Sequence, residues 1–209
     1  LLICIGFVFL QPIFEMISKA IMTSKDLIDP SVTWIAKHAT LSNFKNAIKT
    51  LEMPGSLFNS IWFSALLALA QTAVSLTTGF ALSRYSFKGR NFWFICMLVT
   101  MMLPFQVIMI PQYIIFNKLG WVGTFLPLIV PSFFGGSFFI FLIIQFIYGI
   151  PKDLDEAAKI DGCGYLDIFI RIIIPLIVPA LVTCAIFSFM WKWDDFMGSL
   201  LYLNKPSMY

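Results

Sequence analysis

The chain has 209 residues, of which 59% are hydrophobic and 12% carry a charge, and its mean hydropathy is +0.88. Soluble domains average about 25% charged residues, so this composition excludes an ordinary soluble globular protein. The net charge of +3 says little about partners, and no nucleic acid is expected among them. The four cysteines form no CxxC pair and His38 is the single histidine, so neither a disulfide nor a metal site is expected.

Charged side chains are absent from five stretches of the sequence, which are 14, 31, 27, 33 and 20 residues long. They are residues 1–14, 53–83, 91–117, 119–151 and 172–191. A helix needs ~20 residues to cross the hydrocarbon core of a bilayer, so four stretches are long enough and the first is short. The sequence therefore predicts an all-α polytopic membrane protein.

Five transmembrane helices are predicted from these stretches. They are helix one ending near Phe14, helix two at 57–83, helix three at 91–116, helix four at 124–149 and helix five at 170–191. A polar segment from Glu15 to about Pro54 separates the first two helices. Prolines and a Gly135-Gly136 pair lie inside or beside helices three and four, which predicts kinked helices or a break between 120 and 131.

The distribution of Lys and Arg predicts the orientation of these helices in the membrane. The loop at 84–90 has three basic residues and no acid, whereas the loop after helix three has only Lys118. The positive-inside rule then places 84–90 and 151–171 in the cytoplasm, with 15–54 and 118–123 outside. The five lysines of 15–54 oppose this assignment, although four acids accompany them.

The segment between helices four and five, 151–174, changes from apolar to amphipathic. Pro151 ends helix four, and Asp153 is predicted to be the N-cap of a short polar helix, with Glu156 completing a capping-box-like arrangement. Ala157 and Ala158 are predicted to form a low-profile face that another protein's surface can approach.

Glycines are predicted to end this short helix. Gly162 and Gly164 suit a left-handed C-cap, which favours residues without a Cβ. Residues 165–174 then form a second helical piece before Pro175 and Pro179 begin helix five. A helix–turn–helix of this kind suits the transmission of force from a soluble protein to membrane helices. The alternative is an ordinary capped helix at the membrane interface.

The spacing of these residues resembles the EAA loop of ABC-importer permeases, in which Glu-Ala-Ala precedes a glycine and a later Ile-x-Leu-Pro. Here Ile174 stands where leucine is commoner. The stretch 81–90 resembles the ALSR-x-x-FKGR elbow of the same family, and Met101-Met102-Leu103-Pro104 and Trp193-Asp194-Asp195-Phe196 match it too. Together these motifs resemble the carbohydrate-uptake branch, specifically the shorter maltose-type permease with six helices.

The resemblance implies a fold, partners and site residues. The fold is an ABC importer transmembrane domain of six helices, of which about five are present, as one domain over 1–209 truncated at both ends. The partners are a second permease subunit, two ABC ATPase subunits that bind ATP and Mg, an extracytoplasmic solute-binding protein and the lipid bilayer of a bacterial or archaeal cytoplasmic membrane. The ATPase-coupling residues within the cytoplasmic loop 151–174 are Glu156, Ala157, Ala158, Asp161, Gly162 and Pro175.

Two polar groups are candidates for contact with a sugar or oligosaccharide. Gln71, Thr72 and Ser75 form a polar stripe on helix two that could line a substrate pathway, although such residues more often join helices by hydrogen bonds. Near the end of helix five, a cluster of aromatic and acidic residues could form a sugar platform, or else an aromatic belt with a helix-ending polar cluster. Its members are Trp191, Trp193, Asp194 and Asp195.

Other functions fit these features less well. No G-x4-G-K-[ST] loop occurs, so the chain lacks the usual means of binding ATP and is not expected to be an enzyme. An ion-coupled transporter or channel usually places ionisable groups within the membrane, and the four complete apolar stretches contain none. A scaffold without transport function would leave the 151–174 loop unexplained.

Overall fold

The structure, a computed structural model, describes residues 1–204, and residues 205–209 at the end of the predicted domain lie outside that range. Its regular elements are helical, apart from one isolated antiparallel bridge between Met22 and Ala39. The predicted all-α class is therefore confirmed. By its contacts the chain divides into two compact units, Leu1–Phe58 and Asn59–Tyr209.

The first unit contains the helices α1 (Leu2–Ala20), α2 (Ser24–Ile28) and α3 (Ser42–Thr50) and the start of α4 at Met53. The predicted end of helix one near Phe14 is wrong. Glu15 accepts hydrogen bonds from Gln11 and Lys19, both at 3.1 Å, and these i,i+4 contacts lie along the helix surface. The first charged residue therefore marks the end of the apolar stretch, while the helix itself continues.

The predicted polar segment after α1 is held in place by hydrogen bonds from side chains to the backbone. The Asn43 amide donates to the carbonyls of Ala20 and Met22 at 3.0 and 2.8 Å. The Asp26 carboxylate accepts the backbone N–H of His38 at 2.8 Å. This segment is therefore a folded part of the first unit, with two short helices.

The second unit contains most of α4 and all later helices. They are α4 (Met53–Arg84), α5 (Arg90–Met102), α6 (Phe105–Lys118), α7 (Leu126–Ile129), a 3₁₀-helix (Val130–Phe134), α8 (Ser137–Tyr148), α9 (Asp153–Ile160), α10 (Tyr165–Asp167), a π-helix (Ile168–Ile173), α11 (Ile174–Leu176), α12 (Val178–Trp193) and α13 (Phe196–Tyr202). Helices two and four thus begin near their predicted positions, with α4 starting at Met53 rather than at 57 and α7 at Leu126 rather than at 124. The predicted start of helix five at 170 is wrong, because α12 begins at Val178 after a bend of 76°.

Three helical segments of the described residues are long and apolar enough to cross a membrane, namely Leu2–Ala20, Met53–Arg84 and Leu126–Tyr148. Two bent pairs raise the number to five if each pair is one span: Arg90–Met102 with Phe105–Lys118, at 104°, and Tyr165–Leu176 with Val178–Trp193, at 76°. These segments agree with the prediction of about five transmembrane helices.

The predicted helix three is broken rather than continuous. Leu103 is extended, with φ −79° and ψ 120°, and Pro104 follows with φ −67° and ψ 143°. Proline disfavours the helical conformation at the residue before it, which explains why α5 ends at Met102.

The break predicted between 120 and 131 lies elsewhere. Residues 120–125 form the turn before α7, whereas the helix of the fourth span is interrupted at Gly135, whose φ of +76° favours glycine. The Gly136 N–H donates to the Ser75 hydroxyl of α4 at 3.3 Å. A polar side chain therefore satisfies a backbone group that the interruption frees within the apolar region.

The core of the second unit forms where α4 and α8 pack together with the loop that follows α8. Its buried residues come from α4, α8, α9, the π-helix and α12, and they are Leu76, Phe80, Phe139, Ile143, Ile147, Ala158, Ile168, Ile173, Ile177, Ala180 and Cys184. Because Ala158 of α9 belongs to this core, the loop is fixed to the spans by apolar contacts.

The close approach of α4 and α8 gives a prediction at Gly79. A Cβ added there would lie 2.8 Å from the Ile143 Cγ2 atom and 3.4 Å from the Ile140 carbonyl oxygen. Overpacking of this kind costs about 1–3 kcal/mol. We expect Gly79→Val to lower membrane abundance several-fold in quantitative immunoblots. Gly55→Val is the control, because Gly55 has no atom within 4 Å of the added Cβ. Equal abundance of the two variants would contradict the packing.

The orientation gives a second prediction, which also distinguishes a broken span from a re-entrant hairpin at α5–α6. Lys118→Cys and Asp161→Cys are made in a variant whose four native cysteines are replaced by alanine. In right-side-out vesicles, an impermeant maleimide should label position 118 at once and position 161 only after permeabilisation. Labelling of 118 only after permeabilisation would show that α6 returns to the cytoplasmic side.

Candidate functional site: the loop between α8 and α12

The loop helix α9 begins without a side-chain cap. Lys152 is its N-cap residue and has helical φ and ψ of −69° and −21°. The Lys152 carbonyl accepts hydrogen bonds from the N–H groups of Asp155 and Glu156 at 2.9 and 3.1 Å. The predicted N-cap at Asp153 is therefore wrong, because a capping side chain needs an extended N-cap residue and Asp153 already lies in the helix. Acidic side chains in the first turn interact favourably with the helix dipole, and α9 has three of them.

The C-terminal end of α9 confirms the prediction at Gly162. Its φ is +82°, its N–H donates to the Lys159 carbonyl at 3.1 Å, and the Cys163 N–H donates to the Ala158 carbonyl at 2.9 Å. These paired bonds form a Schellman motif. The matching prediction for Gly164 is wrong, since this residue is extended, with φ −75° and ψ 168°, and precedes α10.

The two alanines lie on different faces of α9. Ala158 is buried in the core beside the π-helix, together with the carboxylate residue Asp155, whereas Ala157 is exposed. The predicted low-profile face is therefore narrower than the sequence suggested. The outward face carries Glu156, Ala157 and Ile160, of which Ile160 is 87% exposed. Asp161 and Gly162 are also exposed at the end of the helix.

A buried ion pair joins α9 to the end of α4. The Arg84 Nε atom lies 3.0 Å from the Asp155 Oδ2 atom, and the two side chains are 5% and 11% exposed. Arg84 also donates through Nη2 to the Ile150 carbonyl at 2.9 Å. From the sequence, Arg84 is a positive-inside signal and part of the 81–90 motif, and its contact with α9 was not predicted. The one available signal was its position as the first charge after 31 uncharged residues.

Aromatic side chains join the same two parts of the chain. The rings of Tyr85, just after α4, and Tyr165 of α10 have centroids 4.9 Å apart. The Phe80 ring lies 4.7 Å from that of Phe169 in the π-helix. The Lys159 ammonium lies 5.4 Å from the Tyr165 ring centroid, within cation–π range. Both helical pieces of the loop therefore contact the Arg84 end of α4.

The second helical piece of the loop leads directly to α12. The predicted helical piece at 165–174 is confirmed and runs from Tyr165 to Leu176, with a π-helix over Ile168–Ile173. Short π-helical segments are frequent at functional sites. Pro175 lies in the first turn of α11, and the helix axis bends by 76° before α12.

The predicted pathway residues of α4 form contacts between helices. Gln71 accepts a hydrogen bond from the Ser188 hydroxyl of α12 at 3.2 Å, and Ser75 accepts the Gly136 N–H. The Thr72 hydroxyl oxygen is buried with no hydrogen-bond partner. These contacts favour the alternative in which polar residues join helices, and the pathway assignment stays a prediction.

The aromatic and acidic cluster lies where α12 meets α13. Asp195 is the N-cap of α13, where its Oδ1 atom accepts the Gly198 N–H at 2.8 Å. Trp191 packs against Phe138 and Phe139, each at 5.1 Å. These contacts favour the structural alternative over a sugar platform.

A small cavity of about 90 Å³ lies beside this cluster. Its polar lining includes Ser60, Ser64, Lys192 and Asp195. A cavity of this size with several polar side chains has room for ordered water.

Comparison with known proteins agrees with this architecture. A model of the family described as "Binding-protein-dependent transport system inner membrane component" matches residues 71–209. The arabinooligosaccharides transport system permease protein AraQ of Halalkalibacterium halodurans is 32% identical over 216 residues, covering 100% of this chain and 77% of AraQ.

Two further relatives cover similar lengths. The probable starch degradation products transport system permease protein AmyC of Thermoanaerobacterium thermosulfurigenes is 30% identical, over 97% of this chain and 74% of AmyC. The osmoprotective compounds uptake permease protein GgtD of a Synechocystis species is 28% identical, over 97% of this chain and 70% of GgtD.

A solved structure shares the fold. A chain of a bacterial ABC transporter involved in the import of the acidic polysaccharide alginate matches with a TM-score of 0.74 and 21% identity, covering 98% of this chain and 72% of that one. The family match extends over about two thirds of the chain and includes α8, α9 and α12. The chain therefore belongs to the family of binding-protein-dependent transport system inner membrane components.

Proposed function

We propose that this protein is one of two permease subunits of an ABC importer and that α9 is the surface on which an ATPase subunit docks. The observation that carries the proposal is the division of α9 into two faces. Ala158 and Asp155 are buried against the spans, while Glu156, Ala157 and Ile160 face outward. A soluble partner that pushes on the outward face therefore pushes on the core of the membrane domain.

The energy source lies in the partner subunits. The 209 residues contain no phosphate-binding loop of the Walker type, so two ABC ATPase subunits bind ATP with Mg and hydrolyse it. A second permease completes the membrane domain, and an extracytoplasmic solute-binding protein delivers the cargo. The complex lies in a bacterial or archaeal cytoplasmic membrane. ATP binding and hydrolysis switch it between outward-facing and inward-facing states.

The cargo is a sugar or oligosaccharide. This assignment is supported by the names of two relatives, which refer to arabinooligosaccharides and starch degradation products. It is also supported by the family motifs in 81–90 and 193–196. Gln71, Thr72 and Ser75 stay the candidates of this chain for the cargo pathway, although the contacts of Gln71 and Ser75 favour the alternative in which they join helices.

The loop transmits movement by two routes. The second piece continues through the π-helix and Pro175 into α12. The first piece contacts the end of α4 through the ion pair of Arg84 with Asp155, and the second piece also contacts it, through the rings of Tyr165 and Tyr85. A displacement of α9 therefore reaches two spans at once, and these spans are also joined to each other through Gln71 and Ser188.

Substitution of Gly162 tests the docking role of α9. A β-branched residue at φ +82° is strained by about 1–2 kcal/mol or more, a small cost for inserting several apolar spans. We expect Gly162→Val to keep near-normal membrane abundance while co-purification of the ATPase and sugar uptake fall at least tenfold.

Gly164→Val is the matched control, because Gly164 is extended and an added Cβ meets only Asp167 Oδ2, at 3.7 Å. It should retain uptake. Normal uptake and normal ATPase co-purification in Gly162→Val would contradict the proposal that α9 is the docking element.

Asp195 tests whether the acidic cluster contacts cargo. Loss of an N-cap costs about 1 kcal/mol, so Asp195→Ala should lower complex yield and reduce uptake of every accepted sugar by the same factor. Asp195→Asn keeps the oxygen that accepts the Gly198 N–H and should behave as the wild type. A change of sugar preference in Asp195→Asn at unchanged yield would show instead that this carboxylate contacts cargo.

A further inference from the structure

The ion pair between Arg84 and Asp155 joins three elements at one point. Arg84 is the last residue of α4, Asp155 lies in the first turn of α9, and Ile150 follows the end of α8. The guanidinium contacts the carboxylate at 3.0 Å and the Ile150 carbonyl at 2.9 Å. Of the ion pairs formed within residues 1–204, it is the one in which both side chains are buried.

Stability alone does not explain this pair. Burial removes both charges from water, and this cost often exceeds what the mutual attraction returns, so two well-packed apolar side chains commonly serve as well or better. The pair is also incompletely hydrogen-bonded. The Arg84 Nε and Asp155 Oδ1 atoms are buried without a hydrogen-bond partner, since the 3.0 Å approach of Nε to Oδ2 is not aligned as a hydrogen bond.

What the pair provides is orientation. A guanidinium is a planar fork with donors in fixed directions, and its hydrogen bond to the Ile150 carbonyl fixes the plane in which it faces the Asp155 carboxylate. Here one edge of the fork faces α9 while another bonds the residue after α8. The neighbouring ring contacts of Tyr85 with Tyr165 and of Phe80 with Phe169 join α4 to the second helical piece and not to α9.

We propose that Arg84 and Asp155 are positioning residues for energy coupling: they make α9 and the Arg84 end of α4 move as one body. A push on the outward face of α9 then displaces α4, and with it the contacts of Gln71 and Ser75 to α12 and Gly136. This inference rests on the proposed docking of an ATPase on α9.

The test replaces both charged side chains by apolar ones of similar shape. The complete importer, with Arg84→Met and Asp155→Leu combined, is reconstituted in proteoliposomes, and cargo transported per ATP hydrolysed is measured. Each single variant should lower abundance, because it leaves one charge buried alone. The double variant should return to within about twofold of wild-type abundance and ATPase co-purification, while the transport-to-hydrolysis ratio falls at least tenfold.

A second ion pair of the same loop provides the matched control. Arg171 and Asp167 approach to 3.4 Å, with side chains 77% and 45% exposed. Arg171→Met combined with Asp167→Leu removes the same charges from the same loop. This variant should keep the wild-type ratio of transport to hydrolysis. That result would show that the effect of removing the Arg84 pair depends on its position and not on charge removal in general.

The remaining outcomes are decisive. A wild-type ratio of transport to hydrolysis in the Arg84→Met, Asp155→Leu variant would overturn the proposal. Loss of ATPase co-purification from that variant would also overturn it, because the pair would then shape the docking surface instead. If that variant fails to accumulate, Arg84→Lys decides, since lysine keeps the charge without the fork. A lowered ratio in Arg84→Lys supports the proposal and an unchanged ratio overturns it. Absence of an ATPase from the wild-type complex would refute the docking on which it rests.

Discussion

The structure depends on one constraint: the segment between α8 and α12 is polar and charged, yet its first helix, α9, belongs to the same apolar core as the spans. Ala158 is buried with Ile147 of α8 and Ile173 of the π-helix. A larger residue at position 158 would separate α9 from the spans. The small residue therefore sets the distance between the loop helix and the membrane domain, and everything assigned to the loop depends on that distance.

One helix interruption in the apolar stretches is placed where another group satisfies the freed backbone. Pro104 ends α5 at a sharp bend, and Gly135 interrupts the fourth span. At the second of these, Ser75 supplies the acceptor for the Gly136 N–H. In hydrocarbon an unpaired backbone group is costly, so a polar side chain on a neighbouring helix stabilises the fold by pairing with it. The same chemistry makes such side chains hard to distinguish from pathway residues by sequence alone.

Much of the fold could be predicted from the distribution of charge. The uncharged stretches overlap the candidate spans of residues 1–204, and the left-handed conformation of Gly162 followed from the need for a residue without a Cβ. The end of α1 could not be predicted in this way, because Glu15 and Lys19 pair along the helix surface instead of ending it. The start of α9 was misplaced by one residue, because Lys152 adopts helical angles where a cap would be extended.

The contact of Arg84 with the loop could not be predicted from the sequence, for a different reason. Arg84 and Ile150 are 66 positions apart, and a basic residue after a span is already explained by orientation. Only the packing of α4 beside α8, where Gly79 lets Ile143 approach closely, brings the end of α4 to the loop. Tertiary packing, rather than local pattern, creates the pair.

The central claim, that the outward face of α9 contacts an ATPase, can be tested by photo-crosslinking in the assembled importer. A photoreactive amino acid replaces Ile160, which is 87% exposed, and in a parallel variant it replaces Lys118, which is exposed at the C-terminal end of α6. On irradiation, position 160 should form an adduct with a protein that mass spectrometry identifies as an ABC ATPase, and position 118 should form none. Absence of that adduct from position 160, in an importer that still transports, would contradict the account.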